Sequence, residues 1–394
     1  GSSLADKEGL PRLYFTAGDN RRFPNQAVAL ALPEDLEDAV LSRWRTVPEL
    51  VQTQDTGWMG EFRDPFVWLE ADTYFMLVGS GDKDNGGGNA VLYSSPDGIA
   101  WENHGFLLSY DYEHNQELGH VWELPVLLPL RDEAGTVVCH ILLLCACQIE
   151  ADVVETYYFL GSWNPEQKTF TKHHDKARLL DLGKGTFTGP SGFVTPDGRS
   201  VVFTIAQGKR QFWEEVHAGW AHNGGLPVEL SIRAGQLHIQ TIREVRSLEK
   251  HMHMDCRGGS TEEINHRLRR FPGEMLFLDY TARSHTASVI LQWEEGSLEV
   301  YYEKPSGHFG VRDEQGTEIG QFRGIEDLVD IGTEPIHFSC YLDHSMLEVY
   351  LNSRKSITLR NYPQSSRTFQ ITGTPESVTL WVMDTAYPEE SPAQ

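Results

Sequence analysis

The sequence is poor in the features that mark several classes of protein. Only five of its 394 residues are cysteine, with no C-x-x-C pair and no even framework, so a disulfide scaffold is not expected. No apolar run approaches the roughly 20 residues that span a bilayer. Lys and Arg number 33 against 57 Asp and Glu, and the net charge of −24 repels nucleic acid and anionic lipid. We therefore expect a soluble protein, extracellular or cytoplasmic, with an uncharged partner and with neither cofactor nor metal.

A pattern of strands recurs four times over the first 240 residues. Each copy has an apolar strand, an acidic or glycine-bearing turn, and further strands rich in β-branched and aromatic residues. The opening strands are expected at 1–5, 62–69, 122–130 and 187–194, and a later strand of the fourth copy at 215–220. Short, evenly spaced strands with Asp-Gly turns are typical of β-propeller blades. A β-sandwich or a β-helix with the same spacing is the alternative.

The pattern changes after residue 233. A strand is expected at 236–241, followed by a short linker and then by many alternating strands with Gly, Asp and Asn turns, which indicate a sandwich. We predict an all-β chain with a propeller domain at 1–240, a linker at 241–254 and a β-sandwich domain at 255–394.

Two acidic residues stand near the starts of neighbouring inner strands. Asp64 lies in residues 62–65 (Phe-Arg-Asp-Pro) and Glu123 in residues 122–125 (Trp-Glu-Leu-Pro). The inner strands of a propeller line a shared channel, so we expect equivalent positions for the two carboxylates in adjacent blades, facing one cavity. The alternative for Asp64 is a turn residue paired with the adjacent arginine. Two carboxylates in register favour a functional role, because burying them without a partner is costly.

These two segments and two others resemble glycoside hydrolase family 32, the invertases, inulinases, levanases and related β-fructosidases. Residues 62–65 match its Arg-Asp-Pro motif, and residues 122–125 resemble its Glu-Cys-Pro motif with Leu124 in place of cysteine. Residues 226–231 are similar to the segment that joins its two domains, and residues 343–352 resemble a strand pair of its sandwich. Four matches in order, spread over nearly the whole chain, are far more specific than any one alone.

The resemblance implies a five-bladed β-propeller followed by a C-terminal β-sandwich. It also implies a retaining hydrolase that cleaves terminal β-D-fructofuranosyl residues of sucrose or fructans. Glu123 would be the general acid/base, and Asp64 would bind the fructosyl hydroxyls and stabilise the transition state, held ionised by Arg63. Substrate-binding roles are implied for five residues, namely Arg63, Trp122, Trp58, Ser2 and Asp181.

The family's nucleophile motif, Trp-Met-Asn-Asp-Pro-Asn-Gly, does not occur in the sequence. Residues 1–3 resemble the second half of a segment that opens the family's second blade. We therefore expect this chain to supply blades two to five. An N-terminal fragment or a second chain would then supply blade one and the nucleophile, which a retaining glycosidase holds about 5 Å from the acid/base.

Two other functions stay open on the sequence alone. A fructosyltransferase of levan or inulin type would use the same residues with a sugar instead of water as the acceptor. A non-catalytic fructan-binding protein would bind without turnover. The choice among sucrose, inulin and levan is equally open, because a fold and its catalytic residues do not fix the substrate.

Overall fold

The computed structural model describes residues 1–19, 25–82, 84, 86–147, 154–319 and 328–386. Strands dominate these residues, which confirms the all-β class and its combination of propeller blades with a sandwich. The chain divides into two compact units, one of residues 1–179 and 188–204 and the other of residues 180–187 and 205–394.

The first unit contains three sheets whose four main strands follow chain order, the antiparallel arrangement of a propeller blade. The first sheet comprises β1 (Ser2–Ala5), β2 (Pro11–Gly18), β3 (Gln26–Pro33) and β4 (Trp44–Thr46), with β5 (Gln52–Thr53) beside β3. The second comprises β6 (Phe62–Glu70), β7 (Thr73–Gly81), β8 (Gly88–Ser95) and β9 (Glu102–Ser109). The third comprises β10 (Val121–Arg131), β11 (Val137–Cys147), β12 (Glu155–Asn164) and β13 (Thr169–Lys172), with β14 (Arg178–Leu179) beside β12.

The central strands of the second sheet are buried on both faces, and the sequence pattern reflects it. β8 is buried along its whole length and β7 along all but its first residue, so both read as continuous apolar runs rather than as alternating strands. Tyr14 and Val28 of the first sheet share one core with Phe62, Met76 and Val91 of the second. The expected opening strands of the first three copies are confirmed.

The fourth copy begins as expected and then departs from the prediction. β15 (Phe187–Val194) and β16 (Ser200–Ala206) are confirmed, but the strand expected at 215–220 is wrong. That segment belongs to helix α1 (Phe212–Ala218), which Glu214 opens by accepting a hydrogen bond from the backbone N–H of Gln211 at 2.8 Å. The short β17 (Asn223–Gly224) follows, and then β18 (Val228–Arg233) pairs antiparallel with β19 (Gln236–Thr241).

The second unit contains the two sheets of the sandwich. The six-stranded sheet runs in the order β20 (Glu249–Arg257), β29 (Pro375–Met383), β21 (Met275–Ala282), β25 (Ile336–Asp343), β26 (Met346–Leu351) and β27 (Lys355–Arg360). The four-stranded sheet runs in the order β24 (His308–Asp313), β23 (Ser297–Glu303), β22 (Thr286–Gln292) and β28 (Thr368–Thr372). Helix α2 (Thr261–Leu268) and two 3-10 helices, Gln116–Leu118 and Arg243–Leu248, complete the regular elements of the described residues.

One segment predicted as a linker has a definite structure. Residues 249–254 form the first part of β20, which pairs with β29 along its whole length with two irregularities in register. Residues 243–248 form a 3-10 helix. The predicted domain limits at 240 and 255 otherwise stay a prediction.

Candidate active site

The inner strands β6 and β10 both bulge at a proline. β6 pairs regularly with β7 up to Arg63 and resumes at Phe66, and β10 pairs with β11 up to Glu123 and resumes at Val126. Proline has no N–H to donate to the ladder, so such an interruption is expected at each of these places. A bulge also turns the neighbouring side chains away from the regular alternation of the strand.

The residue before each proline has a left-handed backbone. Its φ is 59° at Asp64, 48° at Leu124 and 61° at Gly189, which precedes the proline of β15. Glycine adopts this conformation freely, whereas Asp and especially Leu are strained in it, and such strain concentrates at functional sites. The shared geometry corrects the predicted equivalence of the two carboxylates: the counterpart of Asp64 is Leu124, and the counterpart of Arg63 is Glu123.

Glu123 is held by Arg63. The Arg63 Nε donates to Glu123 Oε1 at 2.7 Å, and a terminal nitrogen of the same guanidinium donates to Glu61. Burial opposes the charge of Arg63, but the hydrogen bond to Glu61 and the charge of Glu123 outweigh burial and raise the Arg63 pKa above its usual range. The Arg63 guanidinium therefore pairs with the two glutamates, and its expected effect on Asp64 stays a prediction.

Glu61 was not predicted from the sequence. It stands two residues before Arg63, and residues two apart in an extended chain project to the same side. This spacing could have indicated that Glu61 lies beside Arg63. It was not used because the predicted strand begins at Phe62, one residue after Glu61.

Asp64 is fixed from both sides within the first unit. Its backbone N–H donates to Thr16 Oγ1 at 2.8 Å, and its Oδ2 accepts from the Leu124 N–H at 3.2 Å. It lines a small cavity together with Gly1, Leu124 and Ser191, where the ends of β1, β6, β10 and β15 come together. The structure thus brings Asp64 and Glu123 onto neighbouring bulges at one end of the inner strands.

Three further predicted residues occupy different environments. Trp58 is partly exposed and meets His120 edge-on, with ring centroids 6.5 Å apart. Trp122 is wholly buried and donates its indole N–H to the Leu118 carbonyl at 2.9 Å, so a direct contact between its side chain and a substrate is not supported. The Ser2 hydroxyl accepts from the Val67 N–H at 2.8 Å, which joins β1 to β6.

Asp181 lies in the second unit, where its carboxylate is consumed by structural hydrogen bonds. It is 4% exposed. It accepts from the Ser356 hydroxyl at 2.6 Å, from the Thr358 hydroxyl at 2.8 Å and from the backbone N–H groups of Gly183 and Thr358 at 2.7 and 3.1 Å. Burial raises the pKa of Asp181 by more than these hydrogen bonds lower it. These contacts anchor β27, and the role of Asp181 in sugar binding stays a prediction.

A second cavity of the first unit was also missed from the sequence. It has a volume of about 710 Å³ and lies at the opposite ends of the inner strands, beside Trp68, Glu70, His140 and Trp163. The Trp163 indole donates to Glu70 at 2.8 Å. Burial lowers the pKa of His140, and the nearby charge of Glu70 opposes this only in part.

Two searches of the described residues bear on metals and membranes. No group of three or more His, Cys, Asp or Glu side chains in the described part of the chain is placed to hold a metal ion. Within the same ranges, no helix has the length and apolar character needed to cross a membrane.

Comparison with known proteins finds a consistent match over both units. Residues 1–241 match the model of the glycosyl hydrolases family 32 N-terminal domain, and residues 274–383 match that of the family 32 C-terminal domain. A sucrose-6-phosphate hydrolase of Salmonella typhimurium is 25% identical over 351 residues, covering 84% of this chain and 67% of the relative. A sucrose-6-phosphate hydrolase of Bacillus subtilis is 25% identical over 325 residues, covering 78% and 62%. The chain thus spans about two thirds or less of the length of these relatives.

The fold also matches a solved structure. Fructan 1-exohydrolase IIa from Cichorium intybus superposes with a TM-score of 0.77 over 98% of this chain and 83% of that protein, at 17% identity. Identity this low supports the fold alone.

Proposed function

This chain belongs to glycoside hydrolase family 32, and from that premise we propose that it provides the acid/base and the transition-state stabiliser of an enzyme that cleaves terminal β-fructofuranosyl residues. The observation that carries the proposal is the pair of neighbouring bulges on β6 and β10, which hold Asp64 and Glu123 on adjacent strands. Two carboxyl groups with different partners suit two different roles in glycoside cleavage.

Glu123 is proposed as the general acid/base. Its Oε1 accepts from Arg63, and no hydrogen bond to its Oε2 occurs among the described residues. In the first step the acid gives a proton to the glycosidic oxygen as the bond from that oxygen to the fructosyl carbon breaks and the nucleophilic carboxylate bonds to that carbon. In the second step Glu123 takes a proton from water, whose oxygen bonds to the same carbon as the bond to the nucleophile breaks, which frees the nucleophile and restores the acid. Arg63 acts through Glu123 as a positioning residue, since its guanidinium fixes that carboxyl group against Glu61.

Asp64 is proposed to bind fructosyl hydroxyls and to stabilise the positive charge that develops on the sugar ring. Its Oδ2 accepts from the Leu124 N–H, so Oδ1 remains for a sugar hydroxyl. A carboxylate fixed in position before the reaction stabilises developing charge without the cost of reorganisation. The strained backbone at Asp64 is consistent with such a fixed orientation.

The nucleophilic carboxylate is proposed to come from outside residues 1–394. The family's Asp-Pro-Asn-Gly element is absent from the sequence, and Glu61, the other carboxylate beside Glu123, is already paired with Arg63. A segment that supplies the nucleophile therefore remains part of the proposal, and activity is measured on the protein as it occurs in its source.

Hydrolysis of sucrose or a related fructoside is the favoured reaction, because the two curated relatives are named sucrose-6-phosphate hydrolases. Transfer of fructose to a sugar uses the same residues and is the second candidate. The relative amounts of free fructose and of longer fructans formed from concentrated sucrose distinguish the two reactions.

The first prediction concerns stereochemistry. The purified protein is incubated with sucrose, sucrose 6-phosphate and 1-kestose in separate reactions, and the released sugar is followed by proton NMR from the first minute. We expect release of fructose from at least one substrate, initially as the β-anomer, because retention follows from two displacements. Initial release of the α-anomer, or no release from any of the three, would contradict the proposal.

A further inference from the structure

A cluster of three aromatic side chains lies near the proposed acid/base in the first unit. Trp58 precedes β6, Tyr112 lies between β9 and β10, and His120 stands immediately before β10. The Tyr112 and His120 rings stack with their centres 3.6 Å apart, and Trp58 meets His120 edge-on at 6.5 Å. All three residues are partly exposed, and we call them the aromatic rim.

The distance from Glu123 to the aromatic rim can be followed along β7. A Cβ atom on Gly79 would lie 3.3 Å from the Glu123 Cα atom, and a Cβ atom on Gly81 would lie 3.3 Å from the Trp58 ring. Gly79 and Gly81 are two residues apart on one face of the strand, a separation of about 7 Å. The aromatic rim therefore begins about the width of one sugar ring from the acid/base.

The aromatic rim and Asp64 lie on opposite sides of Glu123 along β10. Asp64 accepts from the N–H of Leu124, the residue after Glu123, whereas His120 comes three residues before Glu123. A general acid stands at the oxygen that joins the two sugars of its substrate. With the fructosyl ring at Asp64, the leaving sugar extends in the other direction, toward the aromatic rim.

His120 is held so that one nitrogen of its ring is available to a ligand. Its backbone N–H donates to the Cys147 carbonyl at 2.9 Å, and its Nδ1 lies 2.7 Å from the Gly86 carbonyl oxygen. A carbonyl oxygen only accepts, so Nδ1 carries the proton, and Nε2 of the neutral ring is an acceptor. Nε2 makes no hydrogen bond with the residues that the structure describes and is not enclosed by them. A sugar hydroxyl can therefore reach it.

Trp58 is fixed by the loop that carries it. Its N–H donates to the Gly81 carbonyl at 2.6 Å, and its own carbonyl accepts from the buried Gln54 side chain at 2.8 Å. The same Gln54 side chain accepts from the Gly60 N–H at 2.9 Å. A ring fixed before the ligand arrives lowers the entropic cost of binding, and its apolar face suits the C–H face of a sugar ring.

We propose that the aromatic rim binds the leaving sugar of the fructoside, with His120 Nε2 accepting from one of its hydroxyls and Trp58 providing the apolar surface beside its ring. The inference rests on the proposed function and adds to it the selection of the leaving group. His120 is then a specificity-determining residue, which favours substrates whose leaving group is a sugar ring over substrates with a smaller leaving group.

The test compares sucrose with methyl β-D-fructofuranoside, which share the fructosyl ring and differ in the leaving group. The kcat and KM of the protein as it occurs in its source are measured for the parent, His120→Asn, His120→Gln and the control His173→Asn. His173 is an exposed histidine of the same unit outside the aromatic rim. Asn places its amide near the position of Nδ1 and leaves that of Nε2 empty, whereas the longer Gln reaches the position of Nε2.

We expect His120→Asn to lower the ratio of kcat/KM for sucrose to kcat/KM for methyl β-D-fructofuranoside about three- to tenfold, the effect of one hydrogen bond. The loss should take the form of a raised KM for sucrose, because the bond is made equally in the bound substrate and in the transition state. His120→Gln should recover part of the ratio, and His173→Asn should keep that of the parent.

An unchanged ratio in His120→Asn, or no recovery in His120→Gln, would overturn the role of Nε2. An equal loss with both substrates in His120→Asn would show that His120 only supports the position of Glu123, which would also overturn the inference. Failure of the parent protein to cleave either fructoside would instead overturn the proposed function, and the role of the aromatic rim with it.

Discussion

At the scale of single residues, motifs located the acidic side chains more reliably than they located their partners. Asp64 and Glu123 do lie on neighbouring inner strands, as their motifs predicted. The partners of Arg63 could not be predicted because a bulge changes which side chains face each other, and a sequence motif does not record a bulge. The partners of Asp181 could not be predicted for a different reason: Ser356 and Thr358 are more than 170 positions away in the chain.

The hydrogen bonds of Asp181 lead to a prediction about stability. Asp181→Asn places an amide N–H₂ group where an oxygen accepts from hydroxyl or backbone donors, so we expect a loss of about 1–3 kcal/mol in the free energy of unfolding. Urea denaturation followed by circular dichroism measures it, with Asp255→Asn, an exposed position of the same unit, as the control. An unchanged free energy of unfolding in Asp181→Asn, together with a raised KM for the fructoside substrate, would instead support the predicted role in sugar binding.

The buried carboxyl group of Glu348 is expected to make the free energy of unfolding depend on pH. Burial raises its pKa from 4.5 to about 8, while the Leu226 N–H opposes the shift and the charge of Asp181 adds to it. The folded chain binds this proton more tightly than the unfolded chain. The contribution of Glu348 to the free energy of unfolding is therefore fully present below about pH 4.5 and is lost as the pH rises through about 8.

We therefore expect Glu348→Gln to flatten the fall in unfolding free energy between pH 5 and pH 8, a fall of up to about 1.4 kcal/mol per pH unit from this group. Urea midpoints at several pH values measure the slope. The exposed Glu262→Gln is the control and should leave it unchanged. An equal slope in Glu348→Gln and the parent would show that this carboxyl group does not titrate as its burial implies.

At the scale of elements, the repeat predicted strands well where the strands are buried on both sides and poorly where the chain leaves the sheet. Residues 215–220 alternate apolar and polar side chains and so read as a strand, yet Glu214 caps a helix there, and Trp213 and Val216 are exposed at 67% and 64%.

Close packing between the second and third sheets leads to a prediction for Gly79, which pairs with Arg63 across β6 and β7. A Cβ atom at Gly79 would stand 2.2 Å from the Trp122 carbonyl oxygen, a distance that only backbone movement can relieve. We expect Gly79→Ala to lower the melting temperature and to reduce turnover by moving Trp122 and Glu123 together.

The matched control is Gly18→Ala, since the nearest atom to a Cβ there is 3.8 Å away. Differential scanning calorimetry and initial rates on sucrose measure the two effects. If Gly79→Ala has the same melting temperature and the same initial rate on sucrose as Gly18→Ala, the close approach of the two sheets does not position Glu123.

At the scale of the whole molecule, the order of the family's motifs along the chain predicted both the blades and the sandwich, and membership of the family confirms that reading. Chemistry was less predictable than fold, because catalytic roles depend on bulges and on ion pairs that form only when distant strands meet.

The central claim is that Glu123 protonates the leaving group, and leaving-group chemistry tests it most directly. In the protein as it occurs in its source, Glu123→Gln is compared with the exposed control Glu166→Gln, using sucrose and 4-nitrophenyl β-D-fructofuranoside in single-turnover experiments. The nitrophenolate departs without a proton, whereas the glucose oxygen of sucrose requires one. We predict that Glu123→Gln slows cleavage of sucrose by about 10²–10⁴-fold and slows nitrophenolate release far less. An equal loss with both substrates would contradict the assignment of Glu123 as the general acid.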